Sequence, residues 1–261
     1  MGNKNQWSAG VISIASSRHS RECQDANHLI VESDTLILAL ADGAGSAKHG
    51  EKGAKIATKI AAKKIFEYVN DVNNEENISE NKINWEEKIY NAAKLAKEEI
   101  KTDAIKEKRE VSEYATTLIL VLAYLEELYI LQIGDGAVIG KNNKGDIISL
   151  TNPVIGEYFN MTDFLTSDDS IKRAEFKSYY NSISSLSAFT DGIQLIALSP
   201  PNEKVEAWEP FNPFFTPLFN FIEECDDKEQ IEFSLKKFLT SGRIKENTED
   251  DLTLFLASLH D

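Results

Sequence analysis

Residues 115–150 read ATTLILVLAYLEELYILQIGDGAVIGKNNKGDIISL, and their pattern decides the fold. Ala115–Tyr124 and Leu128–Gly134 are apolar, β-rich runs separated by Leu125-Glu126-Glu127, which predicts a hairpin. Ala137–Lys141 and Asp146–Leu150 flank Asn142-Asn143-Lys144-Gly145, whose turn chemistry predicts a second one. Consecutive hairpins build an antiparallel sheet, not the strand–helix alternation of a doubly wound parallel sheet.

Upstream the texture is different. Trp7–Ser16, His28–Val31 and Thr35–Ala41 read as strands, the last stopped by Asp42-Gly43-Ala44-Gly45-Ser46. GEKGAKIATKIAAKKIFEYV then carries Ile56, Ile60, Ala61, Ile65 and Val69 along one face, an amphipathic helix. After a polar loop over Asn70–Asn84, Trp85 to about Lys108 forms a second helix with Ile89, Ala92, Ala93, Ala96 and Ile100 as its stripe. Downstream, Thr151–Arg173 is irregular and reads as a flap, and Phe176–Tyr180 and Ser184–Thr190 return to strands. Asp191-Gly192 opens a short helix that reaches Leu198 and is ended by Pro200-Pro201, while Pro210–Pro217 fits no element. Leu218–Glu224 and Lys228–Leu239 are helical, and Leu252–Leu259 is a closing strand. The expected fold is α+β: an α/β sandwich of packed antiparallel sheets flanked by helices, with residues 1–261 as one domain.

Composition narrows the function. Hydrophobic residues make up 42% and charged residues 27%, ordinary for a globular chain. With 43 acidic against 28 basic residues, the formal charge of −15 argues against nucleic acid as the main ligand. Cys23 and Cys225 stand far apart, and the four histidines show no paired ligand spacing, which excludes a disulfide framework and a zinc cluster. MGNKNQWSAG at the N-terminus has no apolar leader core, and no stretch is long enough to span a membrane. A reducing cytoplasm is the expected compartment. Gly45–Lys52 (GSAKHGEK) places Glu51 and Lys52 where a P-loop needs Lys and Ser or Thr. No Gly-x-Ser-x-Gly elbow or partnered cysteine supplies a nucleophile.

Four aspartates close or follow apolar runs: Asp42, Asp135, Asp191 and Asp250. One Asp-Gly is only a turn. Four carboxylates gathered around one core repel each other, and burial raises that cost. A divalent cation resolves the conflict, and all-oxygen ligation favours Mg2+ or Mn2+.

SSRHSRECQDANHL, LALADGAGSAKHGEKGA, ATTLILV, LQIGDGAVI, AFTDGI and DDLTLFLA occur in an order that resembles the protein phosphatase 2C family of metal-dependent (PPM) serine/threonine phosphatases, in its compact bacterial branch. The likeness runs from about Ser16 to Ala257. It implies two packed antiparallel sheets flanked by helices and a phosphoserine/phosphothreonine substrate on a protein, with a Ser/Thr kinase as counterpart and neither nucleic acid nor membrane as partner. It further implies two Mg2+ or Mn2+ ions bridged by Asp42, with the Gly43 carbonyl assisting. Asp191 and Asp250 complete the first ion's shell. Asp25 lies near the second, and Asp135 beside Asp191, where some members hold a third ion. Two such ions about 3.5–4 Å apart can generate an attacking hydroxide at neutral pH.

Four positions depart from the family pattern, and one of them, Asp251 where Asn is usual, makes Asp250 the better ligand of that adjacent pair. Gln24 replaces Glu, Ala44 stands where many members carry His, and Ser20 replaces the phosphate-gripping Arg. Arg18, His19 and Arg21 remain the nearby candidates for phosphate contact, with His19 also a candidate acid or base. A catalytically weak pseudophosphatase that binds a phosphorylated partner is the alternative these changes raise, and a small-metabolite phosphatase is a third reading.

Overall fold

The structure, a computed structural model, describes residues 6–16, 22–32, 34–74, 83–153, 162–201, 205 and 207–260. Arg18, His19, Ser20 and Arg21, and residues 154–161 of the expected flap, lie outside these. Strands β1 (Gln6–Ile14), β2 (Asp25–Glu32) and β3 (Thr35–Asp42) precede helices α1 (Gly50–Asn74) and α2 (Trp85–Lys106). A 3-10 turn at Val111–Tyr114 leads to β4 (Leu118–Tyr124), β5 (Glu127–Ile133), β6 (Ala137–Asn142) and β7 (Ile147–Ser149). Then follow α3 (Ser170–Arg173), β8 (Glu175–Tyr180), β9 (Ile183–Phe189), α4 (Asp191–Ala197), β10 (Leu198–Ser199) and β11 (Glu209–Pro210). Helices α5 (Asn212–Glu223), α6 (Lys228–Leu239) and α7 (Gly242–Lys245) lead into β12 (Leu252–His260).

Two five-stranded sheets result, ordered β1-β12-β9-β6-β7 and β2-β3-β4-β5-β8, with every pairing antiparallel. Strand β3 explains the layering. Its apolar run is unbroken because both of its faces are covered. Ile37, Ala39 and Ala41 pack under α1 and α2, whereas Leu36, Leu38 and Leu40 face the other sheet. Strand β12 alternates in the same way, with Leu252, Leu254 and Leu256 under Phe215, Phe219, Ile231 and Leu235 of α5 and α6. Phe255 and Ala257 point between the sheets. Helices thus cover the outer face of each sheet, as the hairpin reading requires.

Element boundaries depart from the expectation where tertiary packing overrides local composition. Helix α1 runs on through polar Asn70–Asn74 because Val72 still reaches the core. The unassigned stretch after Pro210 belongs to α5: Phe214, Phe215, Leu218, Phe219 and Ile222 form one buried stripe. Pro213 suits the first turn, and Pro217 sits on the exposed side, its missing N–H offset by the apolar face. Most consequential for function, β2 begins at Asp25 rather than His28, and Asp25 pairs directly with Asp42 across the β2–β3 ladder.

Candidate metal centre

Two like charges placed opposite each other on neighbouring strands destabilise a sheet, yet Asp25 and Asp42 occupy such positions at the same end of the sandwich. That end also receives Asp191, the first residue of α4, and Asp250, just before β12. The register is enforced locally. The Asp42 amide donates to Thr117 Oγ1 (2.9 Å), and its carbonyl accepts from Thr117 N (2.8 Å) and Thr116 Oγ1 (2.9 Å). Gly43 bridges to Thr116, and a Cβ on it would lie 2.3 Å from the Gly50 carbonyl carbon, so only glycine lets α1 start against this turn. A Cβ on Gly192 would lie 2.1 Å from the Asp251 carbonyl oxygen, which shows how closely α4 and β12 are drawn together behind Asp191 and Asp250.

Asp42 is the hub, within side-chain hydrogen-bonding reach of both Asp25 and Asp191. Burial, and then the charges of Asp25, Asp191, Asp135 and Asp250, push its carboxyl well above the usual range. Burial likewise lifts Asp191 to about 7, with Asp135, Asp250 and Asp25 adding to it. Asp25 is also lifted to about 7, by burial first, against the opposing pull of hydroxyls from Thr253 and Thr190. Among the described residues no three His, Cys, Asp or Glu side chains close around a single point. Asp42 is the shared member of the two pairs within hydrogen-bonding reach, one with Asp25 and one with Asp191. A desolvated, all-oxygen, mutually repelling set fits a hard divalent cation, which would supply the positive charge that protons otherwise bring.

Asp135 contributes its charge to the cluster while its Oδ2 accepts from Thr162 Oγ1 at 2.5 Å. Asp250 is exposed, and its charge acts on Asp42 and Asp191. Its neighbour Asp251 has a different setting: nearly buried, it accepts from Ser16 N (2.7 Å) and Gln24 N (2.6 Å), one on each oxygen. Asp251 therefore ties the segments that follow β1 and precede β2 to the start of β12. Asp251→Asn would turn an NH2 group toward one of those N–H donors. We expect a stability loss of about 1–3 kcal/mol, read as a lower Tm in EDTA.

The departures Gln24 and Ala44 touch each other. Gln24 Nε2 donates to the Ala44 carbonyl at 3.3 Å, a bond that a glutamate in its place would lack. Cys23 is no nucleophile: burial, followed by the charges of Asp25 and Asp251, pushes its thiol up to about 12. A cleft of about 520 Å³ opens beside the cluster, lined by Glu22, Gln24, Gly45, Ser46, Lys48 and Glu51 among others. Lys48 is exposed and pairs with Glu113 at 2.8 Å. Sequence reasoning missed the threonines that surround the carboxylates; a Thr immediately before Asp191 was the available signal.

The profile of the family described as Protein phosphatase 2C matches residues 15–240. Serine/threonine-protein phosphatase 3 of Escherichia coli K12 is 32% identical over 250 residues, 90% of each chain. Among solved structures, a bacterial serine phosphatase superposes with a TM-score of 0.62 at 16% identity, over 97% of each chain. The catalytic domain of the phosphatase PstP, in complex with two manganese ions, gives 0.60 at 13% identity, over 98% of this chain and 100% of that one. These structural likenesses carry the two-sheet, helix-flanked fold. With the family profile spanning most of its length and a relative this similar over nine-tenths of it, the chain belongs to the protein phosphatase 2C family.

Proposed function

We propose that the protein removes phosphate from phosphoserine and phosphothreonine in protein substrates, and that Asp42, Asp191, Asp250 and Asp25 hold two divalent cations, Mg2+ or Mn2+, with the Gly43 carbonyl assisting and Asp135 available to a third. The observation that carries this reading is the convergence of carboxylates from both sheets on Asp42. Such ions supply Lewis acidity toward phosphoryl oxygens and lower the pKa of water. The chain's own part is to fix those carboxylates on strand ends, and to present the phosphoester through the neighbouring cleft. His19 and Arg21, with Arg18, are our candidates for gripping phosphate, supported by their position in sequence just before Glu22, which lines the cleft. Free thiols at Cys23 and Cys225 support a reducing cytoplasm as its compartment, and a Ser/Thr kinase must supply such substrates. No helix among the described residues is long and apolar enough to cross a membrane.

The direct test is phosphate release from a phosphothreonine peptide with Mn2+ and with EDTA. Turnover is expected only with the metal and is expected to fall about a hundredfold or more in Asp191→Asn. Metal-independent turnover, or an Asp191→Asn variant of unchanged rate, would sink the assignment. Phosphopeptide binding without turnover at saturating Mn2+ would favour the pseudophosphatase instead.

A further inference from the structure

Asp25 belongs to one sheet, but the groups that hold its side chain belong to the other. Thr190 Oγ1, just after β9, and Thr253 Oγ1, on β12, each donate to Asp25 Oδ2 at 2.7 Å. All three side chains are buried. A hydroxyl has one proton, so the direction of every further bond follows. Thr190, having given its proton to Asp25, accepts from the Thr253 amide (3.2 Å). Thr253 has also spent its proton, so in its 2.7 Å contact with Ser13 Oγ the serine must donate. Ser13 Oγ in turn accepts from Asn27 Nδ2 at 2.8 Å. A one-way relay therefore runs from Asn27 on β2 through Ser13 on β1 and Thr253 on β12 back to Asp25 on β2, crossing between the sheets twice.

From this geometry we infer that Thr190 and Thr253 are positioning residues of the metal centre, a hydroxyl clamp that sets the spacing between the carboxylates of the two sheets. Thr190 directly precedes Asp191, and Thr253, near the start of β12, closely follows Asp250, which stands just before that strand. Each threonine thus links Asp25 to a carboxylate that arrives from the other sheet. Both hydroxyls use Oδ2, leaving Oδ1 outside the clamp. Valine matches threonine in shape but has no proton to give, and it would leave a buried carboxylate oxygen short of a donor. Serine keeps the donor. Ser13 acts one step further out: without its proton, the Thr253 hydroxyl keeps its bond to Asp25 but loses the donor that supports it from behind.

The inference rests on the metal reading above, and the experiment separates the two. Mn2+ alone is titrated by calorimetry into metal-free full-length wild type, Thr190→Val, Thr253→Val, Thr253→Ser and Ser13→Ala, with Tm in EDTA measured alongside. Groups that orient metal ligands from behind change affinity by about 10–100-fold when removed. Each valine variant is expected to weaken Mn2+ binding by at least about 10-fold, Thr253→Ser by no more than about twofold, and Ser13→Ala by an amount in between. Ser13→Ala, at a half-buried position in the middle of the relay, keeps the test decisive should Thr253→Val fail to fold. Wild-type binding that the folded valine and alanine variants reproduce undiminished overturns the clamp alone. A wild type that ignores Mn2+ overturns the metal reading and the clamp with it.

Discussion

Asp42→Asn is expected to abolish metal-dependent turnover while making the metal-free protein more stable at alkaline pH. The opposed signs follow from its place at the hub. Asp42 lies opposite Asp25 on the neighbouring strand and is acted on by Asp25, Asp191, Asp135 and Asp250. Asparagine keeps its volume and one carbonyl oxygen but removes a charge from the centre of a repelling group. Because burial and these neighbours hold the Asp42 carboxyl well above its usual range, the charge has to be forced on at high pH. The gain from removing it is therefore small near pH 6 and grows toward pH 8. The loss of function is larger. As a proposed ligand of the divalent cations, Asp42 would help hold charge stabilisation of several kcal/mol, so kcat/KM is expected to fall about a thousandfold or more, each 1.4 kcal/mol being a factor of ten. Steady-state hydrolysis at saturating Mn2+ and thermal melts in EDTA at pH 6 and pH 8 test both halves. A variant that is inactive and also melts lower in EDTA at pH 8 would mark Asp42 as structural. Activity conflicting with stability at a single side chain is the common signature of a functional group.

Much of this was legible in the chain because the fold is built from strong local signals. The hairpins of residues 115–150 specify antiparallel pairing, and the unbroken run of β3 reflects its two covered faces. Aspartates at strand ends were visible for the same reason: a charge interrupting an apolar run stands out. What surrounds them did not. Thr190 and Thr253 are 165 and 228 residues from Asp25 in sequence, and a threonine in a strand is ordinary β-branched filling until its partner is known. The adjacent pair Asp250 and Asp251 was separated only by the family resemblance, which favours Asp250, and the physical reason for the difference was not visible in the chain. One is exposed and acts on the cluster by its charge, and the other is locked by two backbone amides, a division created by where β12 meets the segment before β2. The first half of helix α5 escaped notice because two prolines contradict it locally, while the apolar stripe that stabilises it becomes decisive only against β12. The start of β2 was misjudged because Asp25-Ala26-Asn27 has little strand propensity, and its extension comes from pairing with β3.

Without metal, the protein is expected to lose stability as pH rises from 5 to 8, and Mn2+ is expected to cancel that loss. Asp25 and Asp191 sit at about 7 in the folded chain against a usual 3.8, and Asp42 is displaced in the same direction. A carboxyl raised by folding binds protons more readily in the native than in the unfolded state. Its stabilising contribution is complete below the unfolded value, declines as pH climbs between the two, and is gone above the folded one. The window here thus runs from about 4 to about 7. Three interacting groups do not add, so the expected total is a few kcal/mol, or roughly 10 °C of Tm for a chain of this size. A divalent cation takes the place of the protons and binds best once they have left, so its stabilisation should be larger at pH 8 than at pH 5.5. The general self-repulsion of a chain with a net charge of −15 acts in the same direction, which is why the slope must be compared with that of Asp42→Asn. The variant keeps the rest of the surface acidity and loses only the hub charge, so its Tm in EDTA should decline less steeply. A wild-type Tm in EDTA that is flat or rising from pH 5 to 8, or a slope identical in Asp42→Asn, would mean that these carboxylates do not repel one another as the geometry requires.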